Sequence, residues 1–103
     1  VRERSLDALV FSMDPEGSGA FHAFARRLRS AGIRAEVYPE AKKLGPQFGF
    51  AEKKGALAAV LLGEEERKRG VVTVKDLTQR QNHENLGPDE ALALIRSIIE
   101  KET

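Results

Sequence analysis

Residues 57–62 read LAAVLL, a wholly apolar run that stops at Gly63. A second run of this kind, residues 8–11 (ALVF), lies at the centre of residues 6–13 (LDALVFSM). Short apolar runs bounded by turn residues are typical of strands that are covered on both faces. The two runs therefore predict two central strands of an α/β domain.

A helix is predicted between these two strands, directly after the first one. Asp14-Pro15 is a helix-start signal, a capping carboxylate followed by proline, and Gly32 is placed to end the helix. Apolar residues recur between them at helical spacing: Phe21, Phe24, Ala25 and Leu28. The first strand and this helix form one unit that ends near Ala31.

The segment before the second apolar run has a weaker helical pattern. Residues 41–54 (AKKLGPQFGFAEKK) place Leu44, Phe48 and Ala51 at helical spacing, but Gly45-Pro46 interrupts it. Because proline favours the first helical position, the sequence predicts a turn over residues 42–45 and a helix from Pro46 to residue 54.

The remaining segments complete an alternating pattern of strands and helices. Residues 33–38 and 71–76 (VVTVKD) predict strands, residues 64–69 one solvated helical turn, and residues 79–86 either a polar edge strand or a loop. A last helix starts at Gly87-Pro88-Asp89-Glu90, with Leu92, Ile95, Ile98 and Ile99 on its apolar face. Strand–helix alternation implies an α/β sandwich with a mainly parallel sheet. We expect one core from Leu9, Val10, Phe11, Phe24, Leu28, Val60, Leu61 and Ile95.

Composition limits the function classes. The chain has 103 residues, which predicts a single domain over residues 1–103, and a formal net charge of +1 excludes a histone-like protein. It has no cysteine, so thiol nucleophiles, cysteine-ligated zinc and iron–sulfur clusters are excluded. No apolar run approaches the ~20 residues of a membrane span. The first residue is Val1 rather than methionine, and we expect a fragment of a longer protein.

Signals for catalysis are weak. Gly17-Ser18-Gly19 resembles half of a nucleophile elbow with the wrong flanks, and a flexible turn explains it better. The two histidines, His22 and His83, lack an evident third metal ligand. The acidic residues at 64–66 fit a solvated charge run better than a cation site. We therefore expect no catalytic, cofactor or metal residue in this chain.

Positive charge around the second helix is the clearest candidate for a binding surface. Lysines bracket this helix, an amide and an aromatic ring lie between them, and an arginine lies on the adjoining strand. These residues are Lys42, Lys43, Lys53, Lys54, Gln47, Phe48 and Arg34. Lysine and arginine bind phosphates, and a glutamine amide reads base edges, so the pattern predicts an RNA-facing edge with Gln47 as the base reader. A solvated helix face is the alternative interpretation.

Residues 28–77 resemble the carboxy-terminal anticodon-binding domain of histidyl-tRNA synthetases, a class II aminoacyl-tRNA synthetase family. The ordered set of matching pieces carries the resemblance, and VTVKDL after GEEE is similar to the histidyl branch. The pieces are Leu28-Arg29, Ala31-Gly32-Ile33, Lys43-Leu44, Gln47-Phe48, AEKKG at 51–55, Leu62-Gly63-Glu64 with Glu66, and GVVTVKDL at 70–77.

The resemblance implies a three-layer α/β/α fold, with a five-stranded mixed, mainly parallel sheet, three main helices and an antiparallel VVTVKD strand. It implies a non-catalytic role in binding the tRNA(His) anticodon stem-loop. The parent protein is then expected to be a cytoplasmic, homodimeric, ATP-dependent histidine–tRNA ligase. ATP and Mg²⁺ would bind only to a catalytic domain outside this chain.

The chain departs from the family pattern after the VVTVKD strand. Relatives usually carry Thr/Ser-Gly-Glu-Gln, where this chain has Thr78-Gln79-Arg80-Gln81, and the next stretch, residues 82–85, is unusually polar. Gly45-Pro46 and Gly49 replace good helix formers. The alternative to tRNA recognition is a synthetase-like regulatory or protein-interaction module that has lost it. A free-standing small enzyme is a third, less supported interpretation.

Overall fold

The strands form one mixed sheet around the two apolar runs. A computed structural model describes residues 6–12, 15–39 and 43–102. The strands are β1 (Ala8–Val10), β2 (Ala35–Val37), β3 (Ala58–Leu61), β4 (Val72–Asp76) and β5 (Gln81–Leu86). Their order in the sheet is β2-β1-β3-β4-β5, so both apolar runs supply interior strands. β1 is parallel to β2 and β3, whereas β4 is antiparallel to both neighbours, as the resemblance implied.

Helices cover both faces of this sheet and give three layers. A 3₁₀ turn (Pro15–Gly17) leads into α1 (Ser18–Ser30), followed by α2 (Leu44–Lys54), the charged turn α3 (Glu64–Arg69) and α4 (Pro88–Lys101). The predicted α/β/α fold with three main helices is confirmed, and α3 is the solvated helical turn expected at residues 64–69. No helix in the described part of the chain is long and apolar enough to cross a membrane.

The expected single core is two clusters, one on each face of the sheet. Val10, Val60 and Ile95 belong to the larger cluster, which α1 and α4 cover. Leu9 and Phe11 belong to the smaller cluster, which α2 covers. The division follows from strand geometry, because successive side chains of a strand point to opposite faces.

The end of α1 and the start of α2 can be compared with the helix boundaries predicted from the sequence. Gly32 has a φ of 84° after α1, and the Ile33 N–H donates to the Leu28 carbonyl at 3.0 Å, so the predicted glycine stop is confirmed. Asp14, the predicted cap, lies outside the described residues. Helix α2 begins at Leu44 rather than at Pro46. Proline is tolerated there because the N–H groups of the first helical turn have no intrahelical partner.

The polar stretch near residues 79–86 forms the edge strand β5 rather than a loop. The pairing of β4 with β5 shifts between Val72 and Val74, because an extra residue of β5 lies between His83 and Leu86. Asn85, with a φ of 57°, lies in this bulge. A short polar edge with a bulge discourages pairing with strands of other molecules.

Candidate nucleic-acid interface

The structure does not bring the predicted basic residues to one edge. Lys43 caps the start of α2, near the carboxyl end of β1, whereas Lys53 and Lys54 occupy its last turn. A helix of 11 residues is about 16 Å long, so Lys43 lies at the opposite end of α2 from Lys53 and Lys54. Lys42 lies outside the described residues. The part that these four lysines take in RNA binding stays a prediction.

Arg34 has a structural partner at the amino end of the sheet. Its Nη2 lies 3.2 Å from Oδ1 of Asp7, and its backbone N–H donates to Oδ2 of the same carboxylate at 3.0 Å. Asp7 is buried and directly precedes β1. The Asp7 carboxylate therefore joins the entries of β1 and β2, and Arg34 is far from the start of α2.

Gln47 faces inward, which corrects its expected position at the RNA-facing edge. The Ser12 N–H donates to Gln47 Oε1 at 2.8 Å, and Gln47 Nε2 donates to the Ser12 carbonyl at 2.7 Å. Gln47 is fully buried. Because β1 has ended before Ser12, this backbone has no strand partner, and the amide supplies one. Gln47 therefore secures α2 to the sheet, and its buried amide is not placed to read a base.

An open groove of about 780 Å³ lies beside α2, on the face of the sheet that α2 leaves partly uncovered. Helix α2 forms one wall, β4 forms the floor, and the turn between β4 and β5 closes one end. The lining residues are Phe48, Glu52, Gly55, Ala56, Leu57, Lys75, Leu77, Thr78, Arg80 and Glu102. It combines an aromatic ring, two cationic groups and two carboxylates.

Lys75 and Phe48 form the centre of this groove. The Lys75 ammonium lies 4.7 Å from the centroid of the Phe48 ring, a cation–π contact. Phe48 in turn packs edge-on against the buried Phe11, with ring centroids 4.7 Å apart. Within the described ranges, Lys75 has no ion-pair partner. A ring such as Phe48, fixed by its contact with Phe11, is suited to stacking with a base. A cation such as Lys75, which has no carboxylate partner among the described residues, is suited to contact with a phosphate.

Asp76 organises the turn at the end of the groove. Its Oδ1 accepts hydrogen bonds from the Thr78 N–H at 2.9 Å, the Thr78 hydroxyl at 2.6 Å and the Gln79 N–H at 3.3 Å. The carboxyl group is buried, because Val72, Val74 and Asp76 share one face of β4. The turn is thereby fixed relative to the strand that carries Lys75.

We expect Asp76→Ala to destabilise the domain by about 1–3 kcal/mol, since it removes the acceptor of three hydrogen bonds. Chemical denaturation monitored by circular dichroism measures this loss. Asp89→Ala is the matched control, because it removes an exposed carboxylate whose ion pair with Arg27 is worth little. Equal stability losses in the two variants would contradict the role given to Asp76.

The other sequence candidates lie apart from this groove. Ser18 and His22 are exposed on α1, and His83 lies on β5 opposite Val74. Glu66 accepts hydrogen bonds from the Gly63 N–H and the Thr73 hydroxyl, at 3.0 and 2.9 Å. Over residues 6–12, 15–39 and 43–102, no group of three or more histidines, aspartates and glutamates is arranged to hold a metal ion.

The sequence patterns did not predict Lys75 or the groove as a binding site. The period-two alternation of VVTVKD places Thr73 and Lys75 on one face and the buried valines on the other. That signal shows that Lys75 lies outside the larger core, but the order of the strands is needed to place it beside Phe48.

The fold is that of a class of domains found in aminoacyl-tRNA synthetases. A profile of the family described as "Anticodon binding domain" matches residues 8–98, and the chain belongs to this family.

The relatives narrow the class to histidine–tRNA ligases. Over 80 residues, which are 78% of this chain, it is 50% identical to the histidine–tRNA ligase of Stenotrophomonas maltophilia (strain K279a). Over 93 residues, or 90% of the chain, it is 47% identical to that of Xylella fastidiosa (strain M23). The chain is thus an anticodon-binding domain of the histidine–tRNA ligase type. It spans 17% and 20% of the length of these two relatives.

Solved structures support the same fold. Histidyl-tRNA synthetase from Nostoc sp. PCC 7120 superposes with a TM-score of 0.79 and 27% identity, over 95% of this chain and 23% of that one. The RNA binding domain of threonyl-tRNA synthetase from Cryptosporidium parvum Iowa II gives a TM-score of 0.80 at 17% identity, over 90% of this chain and 23% of that one. The second likeness concerns the fold alone.

Proposed function

We propose that this domain binds the anticodon stem-loop of tRNA(His) and that the groove between α2, β4 and the β4–β5 turn receives it. The observation that carries the proposal is the Lys75 ammonium over the Phe48 ring in an open groove. The relatives are histidine–tRNA ligases, which supports tRNA(His) as the particular RNA.

The groove offers a distinct contact for each part of an unpaired loop. Unstacked bases of an RNA loop stack on aromatic rings, for which Phe48 provides a surface. Lys75 attracts the phosphate between two such bases. The carboxylates of Glu52 and Glu102 accept hydrogen bonds from base amino groups or ribose hydroxyls. Because two cations and two carboxylates share the groove, we expect selective but weak binding.

The basic residues outside the groove have a longer-range part in this proposal. Lys43, Lys53 and Lys54 supply a positive field along α2, which favours the approach of RNA but does not read its sequence. Lys42 is assigned the same part from the sequence alone. Arg34 contributes less, since Asp7 compensates its charge.

The parent protein is proposed to be a cytoplasmic, homodimeric histidine–tRNA ligase. Its ATP, Mg²⁺ and histidine chemistry would lie on a separate catalytic domain, and this domain would hold the tRNA. The regulatory or protein-interaction alternative predicts instead a groove that does not bind RNA.

Lys75→Ala tests the proposal. We expect it to weaken binding of a hairpin carrying the histidine anticodon about fivefold to tenfold at low salt, the size of one charged contact. The slope of log K against log salt should fall by roughly 0.7, the value for one contact with single-stranded RNA. Fluorescence anisotropy with a labelled hairpin measures both quantities.

Lys68→Ala is the matched control, because Lys68 is equally charged but pairs with Glu64 on α3. A hairpin with a scrambled anticodon reports the sequence-independent part of binding. If the wild-type chain does not distinguish the two hairpins and Lys75→Ala binds like Lys68→Ala, the proposal is wrong.

A further inference from the structure

The backbone at Arg80 has an unusual conformation. Among the described residues, only Arg80 and Asn85 combine a side chain with a positive φ, at 55° and 57°. Asparagine adopts the left-handed region more easily than most residues, so the positive φ of Asn85 in its bulge carries little strain. Arginine has no such tolerance. Glycine would fit the Arg80 position without strain.

The surrounding turn imposes this conformation. The Asp76 carboxylate fixes Thr78 and Gln79 by three hydrogen bonds, and β5 begins at Gln81. The chain must therefore reverse at Arg80, and a left-handed residue completes the reversal. A strained residue persists where its surroundings over-determine it, and such residues cluster at functional sites.

The Arg80 side chain has no structural task that would account for its presence. It is exposed, it lines the groove, and within the described part of the chain it makes no hydrogen bond or ion pair. Replacement of this arginine by glycine would cost no described contact and would relieve the backbone. An exposed arginine at this strained position points to a partner outside the chain.

We infer that Arg80 is a phosphate-contact residue of the groove, placed by the strained turn to hold the RNA backbone at the end of the groove opposite α2. The inference rests on the proposed RNA function. It adds a second anion-binding group to Lys75 and gives a reason for the conformation of the turn.

Phosphate is favoured over a base edge for two reasons. The Thr78 and Gln79 N–H groups are both used by Asp76, so the backbone of the turn cannot bind the anion with them, and the guanidinium is the available donor. Phosphate and sugar oxygens also receive about half to two-thirds of the hydrogen bonds in protein–DNA interfaces, more than base edges do. The planar guanidinium binds phosphate through two parallel hydrogen bonds.

The test uses opposite effects of one substitution. Arg80→Gly is expected to raise the melting temperature by about 2–5 °C, because the left-handed strain is removed. The same variant should bind the histidine-anticodon hairpin about fivefold to tenfold more weakly at low salt. Asn85→Gly is the matched control, and its RNA affinity should equal that of the wild type.

Two further variants test whether the charge at position 80 is required and whether the effect is local to the groove. Arg80→Lys keeps the charge but loses the planar fork, and it should recover part of the affinity lost in Arg80→Gly, since phosphate binding tolerates a point charge better than base reading does. Arg26→Ala removes an exposed arginine from α1 and should leave affinity within about twofold of wild type, since α1 packs on the face of the sheet opposite to the groove.

The outcomes distinguish this inference from the proposed function. If the wild type binds the hairpin and Lys75→Ala weakens it, but Arg80→Gly binds like the wild type, Arg80 is a surface residue and the inference fails alone. A loss in Arg80→Gly confined to the histidine anticodon, with the scrambled hairpin unaffected, would overturn phosphate contact in favour of base reading. A lower melting temperature in Arg80→Gly would overturn the strain argument. If the wild type binds neither hairpin, the proposed function itself fails.

Discussion

Val60→Asp is expected to unfold the domain. Val60 is fully buried at the centre of β3, paired with Val10 of β1 and Val74 of β4, and it belongs to the larger core cluster. A carboxylate there would have no cationic partner among the described core residues and would lose the solvation of water. A buried unpaired charge costs several kcal/mol, which is comparable to the ~5–15 kcal/mol stability of a whole domain.

Circular dichroism and thermal melting measure this effect. The matched control is Val37→Asp, the same substitution on the edge strand β2, where the side chain is only partly buried. The control should remain folded with a lowered melting temperature. A soluble Val60→Asp variant that melts cooperatively near the wild-type temperature would show that β3 is not the central strand.

Gln47→Ala is expected to cause the second largest loss, about 2–4 kcal/mol of unfolding free energy. The substitution leaves the N–H and the carbonyl of the buried Ser12 without their side-chain partners, each a loss of about 1–2 kcal/mol. Gln47→Glu should be at least as destabilising as Gln47→Ala at neutral pH, because its carboxylate would be buried and would face the Ser12 carbonyl oxygen, to which it cannot donate.

Urea denaturation measures these losses, with Gln79→Ala as a control for an exposed glutamine. At a temperature where Gln47→Ala is fully folded, its discrimination between anticodon and scrambled hairpins should match that of the wild type. If Gln47→Ala keeps full stability and loses discrimination, the amide reads bases and the inward assignment is incorrect.

Much of the fold could be predicted from local patterns. The short apolar runs around Val10 and Val60 are typical of covered strands, and Gly32 ends α1 because the left-handed conformation there suits glycine. The antiparallel direction of β4 came from the family resemblance, since periodicity does not encode strand direction. Residues 79–86 stayed open because an exposed edge strand needs no apolar face.

The orientation of α2 could not be predicted from hydrophobic spacing. The stripe of Leu44, Phe48 and Ala51 suggested a buried face, yet Leu44 is 37% exposed and Gln47 is 0% exposed. The helix is turned so that a polar amide meets the backbone after β1, a requirement that appears only when β1 and α2 are packed together. The spacing of apolar residues indicates which side chains are buried. It does not indicate that the backbone at Ser12, which is distant in the sequence, requires hydrogen-bond partners from α2.

The candidate site was predicted in kind but not in position. The sequence indicated lysines near α2, and the structure places the aromatic and cationic centre between Phe48 and Lys75. Those residues are far apart in the chain, and only the sheet order β3-β4-β5 with α2 above it brings them together. The sequence does not indicate that Arg80 lines the groove, because what distinguishes Arg80 is its positive φ, which the sequence pattern does not show.

Amide chemical-shift mapping during titration with the histidine-anticodon hairpin tests the central claim most directly. The 11.4 kDa chain is small enough for every described amide to be followed. We expect the perturbed amides to cluster at Phe48, Glu52, Lys75, Thr78 and Arg80, while the amides of α1 and of α4 away from Glu102 stay unchanged. Perturbations concentrated on α1 and the outer face of α4, or none at saturating RNA, would contradict it.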